Sequence, residues 1–244
     1  MDWIKQVVIG SPFEGLARKL YIRLDPSVWS KSDRLTLKVL DKCLVADSNC
    51  IDVGAFRGSI LQELVARAPQ GTHFAFEPLA EEAAYLADKF PAVKVFPIAL
   101  SNRSGMVPFS HNLKHPTRSS FNIPHPADPR EIIQIKTEKL DRLVPADLKI
   151  RLIKIDVEGA EYQVLQGSMK TIRASKPIII FEHTEVAWIR YSTTSEQVYE
   201  LLTRDCGLRV SSMENWLEGS EPLSCEEFVQ QVKTKQCFYF IAYP

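Results

Sequence analysis

The chain has no excess of either charge: 30 lysines and arginines balance 30 aspartates and glutamates. No global field therefore recruits nucleic acid or an anionic membrane, which leaves only local patches to be considered. Cysteine is sparse. Cys43, Cys50, Cys206, Cys225 and Cys237 are odd in number, scattered, and form no C-x-x-C pair. That argues against a disulfide framework and a zinc knuckle and fits a reducing compartment. No stretch approaches the roughly twenty apolar residues of a membrane-spanning helix. The start, Met1-Asp2-Trp3-Ile4-Lys5, has an early acid and lacks the basic patch and long apolar stretch of a signal peptide, so a cytoplasmic location is expected. Internal repeats and low-complexity tracts are missing. His111, His115 and His125 follow no metal-ligand spacing, and no metal site is expected from them.

What is present is an ordinary globular composition, 45% apolar and 25% charged, over 244 residues. That length suits one large α/β domain with a small appendage. Residues 1–45 read as an N-terminal helical cap. Ile4, Val7 and Val8, then Leu16, Leu20 and Leu24, recur at helical spacing, interrupted by Pro12 and Pro26. Lys5, Arg18, Lys19 and Arg23 flank the stripe. Packing on the core is its expected role, and contact with a membrane surface is only weakly indicated.

Residues 46–244 read as a single domain in which strands and helices alternate, the pattern of a mostly parallel sheet covered on both faces. Strands are expected at 50–53, 73–77, 93–97, 152–156, 177–182, 208–212 and 238–243, the last inserting antiparallel. Helices are expected at 59–67, 80–90, 161–174, 195–205 and 225–232. From about 102 to 136 the alternation breaks. Short strands fit at 106–109 and 132–137 and are able to pair with each other, and the stretch between them is rich in proline, serine and histidine. A long irregular segment of this kind predicts a lid or substrate loop, in which Arg118, Ser119 and Ser120 are candidates to contact a hydroxylated or anionic substrate.

The strand ending in Ile51-Asp52-Val53-Gly54-Ala55-Phe56-Arg57-Gly58 breaks into a glycine-bearing turn before a helix that starts at Ser59. Such a junction gathers backbone N–H groups and a helix N-terminus at one point, which favours a charged or strongly polar small molecule. The turn lacks the third glycine of G-x-G-x-x-G. A pyrophosphate needs close backbone approach along the whole turn, whereas an adenosine with an amino-acid tail does not. Asp52, at the last inward position, would fix the turn or meet an ammonium group. Glu77 closes the next apolar run about twenty residues on, where nucleoside-binding α/β proteins place a carboxylate on ribose hydroxyls. This half of the chain reads as a nucleoside-cofactor site.

In Leu152-Ile153-Lys154-Ile155-Asp156-Val157-Glu158-Gly159-Ala160-Glu161, strand alternation puts Lys154 and Asp156 on one face. A lysine inside a parallel strand is costly unless it reaches a carboxylate or the open rim. Asp156 falls at the C-terminal end, where open α/β sheets bind ligands. Glu158 and Glu161 flank Gly159 at the start of the next helix, where negative charge is favourable, and capping accounts for Glu161 as well as a chemical role does. His183 follows Phe181 and Glu182 at the end of the neighbouring strand, and its imidazole is a candidate to take a proton near neutral pH.

Assembled, IDVGAFRG, the FEP around Glu77, IALSNRSG, LIKIDVEGAEYQVLQG and IIIFEH resemble the FkbM-type family of S-adenosylmethionine-dependent methyltransferases over about residues 49–184. The resemblance implies a Rossmann-like class I methyltransferase with a seven-stranded, mostly parallel sheet. It also implies S-adenosylmethionine as cofactor and transfer of a methyl group to a hydroxyl of a sugar, glycolipid or polyketide. By that likeness Gly54, Ala55 and Gly58 border the methionine moiety, Glu77 and Pro78 the ribose, and Ala99 with Leu100 the adenine edge. Phe56 stands where the family commonly has asparagine.

Such a transfer releases a neutral thioether, so the protein must align the nucleophile and remove its proton. Asp156, Glu158 and His183 are the candidate bases, and Lys154 would hold a carboxylate in place. A divalent ion between Asp156 and Glu158 is compatible with the pair, although two carboxylates alone do not establish one. A nicotinamide-dependent oxidoreductase is the competing enzyme class and would need the missing glycine. A nucleoside-binding interaction protein without catalysis is another alternative, against which the rim carboxylates argue. The acceptor pocket is expected from the cap, the irregular loop and the segment after His183, with Trp188 and Tyr191. These are the least patterned parts, so neither the acceptor nor the oligomeric state is legible.

Overall fold

Short runs that are apolar on both faces need cover on both sides, and this requirement organises the molecule. The computed structural model describes residues 30–121 and 128–244, without the side chains of Arg118 and Trp188. Residues 1–29 of the expected cap, with Lys5, Arg18, Lys19 and Arg23, and His125 of the loop lie outside the described residues. The described chain opens with helix α1 (Lys31–Cys43), capped reciprocally by Ser30 and Asp33.

There follow β1 (Asn49–Val53), α2 (Ser59–Arg67), β2 (His73–Phe76), α3 (Ala80–Lys89), β3 (Lys94–Phe96), β4 (Ala99–Leu100), β5 (Gly105–Asn112) and β6 (Arg130–Glu138). The second half comprises β7 (Ile150–Ile155), α4 (Glu161–Gln166), α5 (Met169–Ser175), β8 (Ile178–Glu182), α6 (Glu185–Tyr191), α7 (Ser195–Glu200), β9 (Arg209–Ser212), α8 (Met213–Glu218), α9 (Cys225–Lys233) and β10 (Tyr239–Tyr243).

The main sheet has seven strands in the order β3-β2-β1-β7-β8-β10-β9, parallel except for β10, which runs antiparallel to both neighbours as the sequence predicts. One face carries Ile51, Phe74, Ile153, Ile179 and Phe181 against α4, α5, α7 and α9. The other carries Cys50, Leu152, Ile178, Ile180 and Ile241 against α1, α2 and α8. Alternation therefore assigns Asp52 and Lys154 to the second face. The two are paired across β1 and β7, and Glu182 pairs with Tyr239 across β8 and β10. All four residues converge on the carboxyl edge of the sheet. Among the described residues, no helix is long and apolar enough to cross a membrane.

In the segment expected as an irregular lid, the two short strands expected there are present and longer than expected. β5 and β6 form an antiparallel hairpin in register from Gly105↔Thr137 to Asn112↔Arg130, and β4 adds to β6 in parallel to make a small second sheet. Phe109 and Ile135 bury against Leu79 and Ala99, with Val107 and Ile133 packed alongside. Pro108 is tolerated within β5 because β5 is an edge strand. The expected helix at 161–174 breaks at Gly167, where a Cβ would lie 2.0 Å from the Ser101 carbonyl oxygen. The expected helix at 195–205 keeps α7 and finishes in a π turn over Leu201–Asp205.

Candidate functional site

Backbone hydrogen bonds hold the junction after β1 to its neighbouring strands. Gly54 donates to Phe76 at 2.9 Å, and Asp156 donates to the Val53 carbonyl at 3.1 Å, so the exits of β1, β2 and β7 are joined. Gly54 sits at φ +76°, and a Cβ there would lie 2.0 Å from the Asp156 carbonyl oxygen. Only glycine permits that approach. Phe56 is left-handed at φ +45°, the region in which asparagine is at home and a bulky residue is not.

A cavity of about 310 Å³ opens at this edge. Asp52, Gly54, Ala55, Phe56, Glu77 and Pro78 line one side, and Ile98, Ala99 and Leu100 add an apolar shelf. The expected cofactor residues are thus brought together, with one exception. Gly58 does not line the cavity; a Cβ on it would stand 2.6 Å from the Phe90 ring, so close packing is what it serves. Glu77 accepts N–H bonds from Phe56 at 2.9 Å and Leu79 at 3.0 Å, locking the turn to the end of β2. Burial pushes its carboxyl up to about 7 despite those two donors.

The far wall is acidic. The Lys154 ammonium lies 3.2 Å from Asp156 Oδ2 and 3.8 Å from Asp52 Oδ1. Burial alone would lower that ammonium, but Asp156 and Asp52 outweigh it and the net shift is upward, so Lys154 stays charged. Asp52 is only 1% exposed, and its Oδ1 has no hydrogen-bond donor, consistent with the upward push that burial gives its carboxyl. The Tyr239 hydroxyl donates to Asp156 Oδ2 at 2.9 Å. Glu182 lines the same wall. Burial, reinforced by Asp156, Glu161 and Glu158, pushes its carboxyl up to about 8 against the opposing charge of Lys154.

Glu158, left-handed at φ +59°, lines the cavity, and its carboxylate stands 3.6 Å from Arg190. Its carbonyl accepts from Arg190 at 2.9 Å and from the Ser120 hydroxyl at 3.3 Å. Glu161 takes the bracing role: its Oε1 accepts from the Val157 and Gly159 N–H groups at 3.0 and 3.2 Å, and burial pushes it up to about 7.

The histidine reading needs correction. His183 does not line the cavity. It points with Phe181 to the opposite face of the sheet, stacked on Phe228 at 5.6 Å, with Nε2 3.0 Å from Ser195 Oγ. Burial lowers it to about 4, so it is a poor proton acceptor in any case. Glu182, one residue earlier, faces the cavity in its place, and the period-two alternation of β8 carries that signal. Tyr239 has no sequence cue, because only the insertion of β10 beside β8 brings it here.

Of the loop residues, Ser119 lines the cavity while its Oγ accepts the Asn112 N–H at 2.9 Å. Ser120 does not line it; its hydroxyl is 2.8 Å from the Tyr191 hydroxyl and ties the hairpin to α6. The Arg118 side chain is outside the described residues. Among the described residues no group of His, Cys, Asp and Glu is arranged to hold a metal ion.

The sequence profile of the methyltransferase FkbM domain matches residues 52–210. Among solved structures, methyltransferase FkbM from Methylobacillus flagellatus is 14% identical with a TM-score of 0.50; the match covers 82% of this chain and 44% of that one. The chain therefore spans less than half the length of that relative. A putative rRNA methylase from Clostridium thermocellum is 10% identical, with a TM-score of 0.48 and coverage of 88% and 94%. A SAM-dependent methyltransferase from Aquifex aeolicus is 17% identical, with a TM-score of 0.41 and coverage of 90% and 96%. A search of curated proteins returned no match. The architecture is the Rossmann-like class I methyltransferase fold. With more than half of its length matched by that profile, the chain belongs to the FkbM methyltransferase domain family.

Proposed function

We propose that this chain is an S-adenosylmethionine-dependent O-methyltransferase acting on a hydroxyl of a small acceptor such as a sugar, glycolipid or polyketide. One observation carries the reading: a single cavity joins a ribose-type carboxylate and an apolar shelf at one end to a carboxylate-rich wall at the other. The residues suit the cofactor. Glu77 is an acceptor for ribose hydroxyls, and Ile98, Ala99 and Leu100 offer a flat apolar surface for a base. Asp156 and Glu158 alone outnumber Lys154 at the cavity, a surplus that attracts a cationic sulfonium and ammonium. When bound, S-adenosylmethionine supplies an electrophilic methyl group on positively charged sulfur.

The chain's part is positional and electrostatic. Lys154 and Tyr239 hold the Asp156 side chain in place. Glu158 is steadied by Arg190, so the acidic wall keeps its shape. Phe109 of β5 and Ser119 of the connection that follows line the cavity on the hairpin side. A location in the cytoplasm is part of the same proposal.

Calorimetry with S-adenosylmethionine, S-adenosylhomocysteine and NAD tests the cofactor. Binding of the two adenosyl compounds and not of NAD is expected, and the reverse pattern would return the chain to the oxidoreductase class. Labelled S-adenosylmethionine incubated with cell extract, followed by mass spectrometry, tests the acceptor. Label on nitrogen or carbon in place of oxygen would reject hydroxyl methylation.

A further inference from the structure

The reading above leaves open which group receives the acceptor's proton, and the inference drawn here rests on that reading. Asp156 is already engaged, since one of its oxygens takes both the Tyr239 hydroxyl and the Lys154 ammonium. Glu158 is steered by Arg190, and its backbone is bound by Arg190 and Ser120. His183 faces away from the cavity. Glu161 is spent on the N–H groups of its own loop. Glu182 lines the cavity at the end of β8, directly opposite Tyr239, and among the described residues no donor is bonded to its carboxylate.

We propose that Glu182 is the group that accepts the hydroxyl proton of the acceptor, with Asp156 fixed beside it by Tyr239 and Lys154. The acceptor oxygen bonds to the methyl carbon as the carbon–sulfur bond breaks. The electron pair of that bond stays on sulfur, which departs as a neutral thioether, and the hydroxyl proton ends on Glu182. The surroundings suit the task. Lys154, Asp156 and Glu158 face Glu182 from β7 and the loop after it, Glu161 from α4, and Tyr239 from β10. Burial and the surplus of negative neighbours make its carboxylate a far stronger base than a solvated one, near the value that general-base catalysis at neutral pH favours.

The test needs no acceptor. Sinefungin carries a protonated amine where the sulfonium carries its methyl group, and S-adenosylhomocysteine carries nothing there. Calorimetry of the full chain with both ligands should show the sinefungin advantage growing about tenfold between about pH 6 and pH 8.5, as Glu182 ionises and pairs with the amine. E182Q should abolish that growth and leave S-adenosylhomocysteine affinity within about twofold, with E182D restoring part of it. An advantage that stays flat with pH in the unaltered protein, or that persists in E182Q, overturns the proposal. If E182Q fails to fold, the pH series on the unaltered protein decides alone. Failure of both ligands to bind the unaltered protein is a different result, which overturns the cofactor reading and this inference with it.

Discussion

Glu77 closes β2 and accepts the Phe56 and Leu79 N–H groups, and in the proposed function its remaining lone pairs serve a ribose. Glu77→Ala removes both functions, and calorimetry should show S-adenosylhomocysteine affinity falling by about tenfold or more. Phe56 holds a left-handed φ of +45°, a conformation that costs a bulky side chain about 1–3 kcal/mol. Phe56→Asn should recover part of that cost, read as a higher midpoint in urea. The sequence pointed to Asp52, Glu77, Lys154, Asp156 and Glu158 because glycine turns and strand-end acids have recognisable spacings. It misassigned His183, because an imidazole near a strand end attracts attention that strand alternation gives to Glu182.

At the scale of elements, the glycines separate two kinds of constraint. Gly219 sits at φ +77° with nothing within 4 Å of a Cβ, so Gly219→Ala should cost only about 1–2 kcal/mol, the penalty of the left-handed backbone. Gly54→Ala adds a collision with the Asp156 carbonyl and should unfold the protein at a much lower urea concentration. Ser120 and Tyr191 tie the hairpin to α6 through one hydroxyl pair. Ser120→Ala and Tyr191→Phe should each cost about 1 kcal/mol in urea melts, and the double variant should cost less than their sum. The central strands were legible because fully buried strands read as continuous apolar runs. Of the hairpin only the middles of its two strands were legible, because Ser110, His111 and Asn112 break the apolar pattern at the end of β5 and the far strand lies about twenty residues on.

Across the whole molecule, the buried acids set how stability follows pH. Glu77 and Glu161 rise from 4.5 to about 7, and Glu182 rises to about 8. The folded state holds these protons more tightly than the unfolded chain does. Their stabilisation is complete below about 4.5 and is lost as pH climbs through 7 to 8. His183 runs the other way: lowered from 6.5 to about 4, it supports the fold above 6.5 and withdraws that support as pH falls through 4. Three acids losing support outweigh one histidine gaining it, so thermal melts should decline steadily from about pH 5 toward about pH 8.5. Glu182→Gln, which removes the charge but keeps the shape, should raise the melting temperature at about pH 8.5 by a few degrees and have little effect at pH 5.

The chain by itself determined the alternating α/β plan, the glycine turn, Glu77 and the Lys154–Asp156 pair. Each of these depends on local spacing or on the apolar period of a single segment. Only the tertiary structure decided that Tyr239 meets Asp156, that Glu182 faces the cavity while His183 is stacked away on Phe228, and that the hairpin packs on Leu79 and Ala99 beside the site. Those facts depend on which strands become neighbours and on which face of the sheet is covered. Such choices are made by packing among segments far apart in the chain, and no local pattern encodes them.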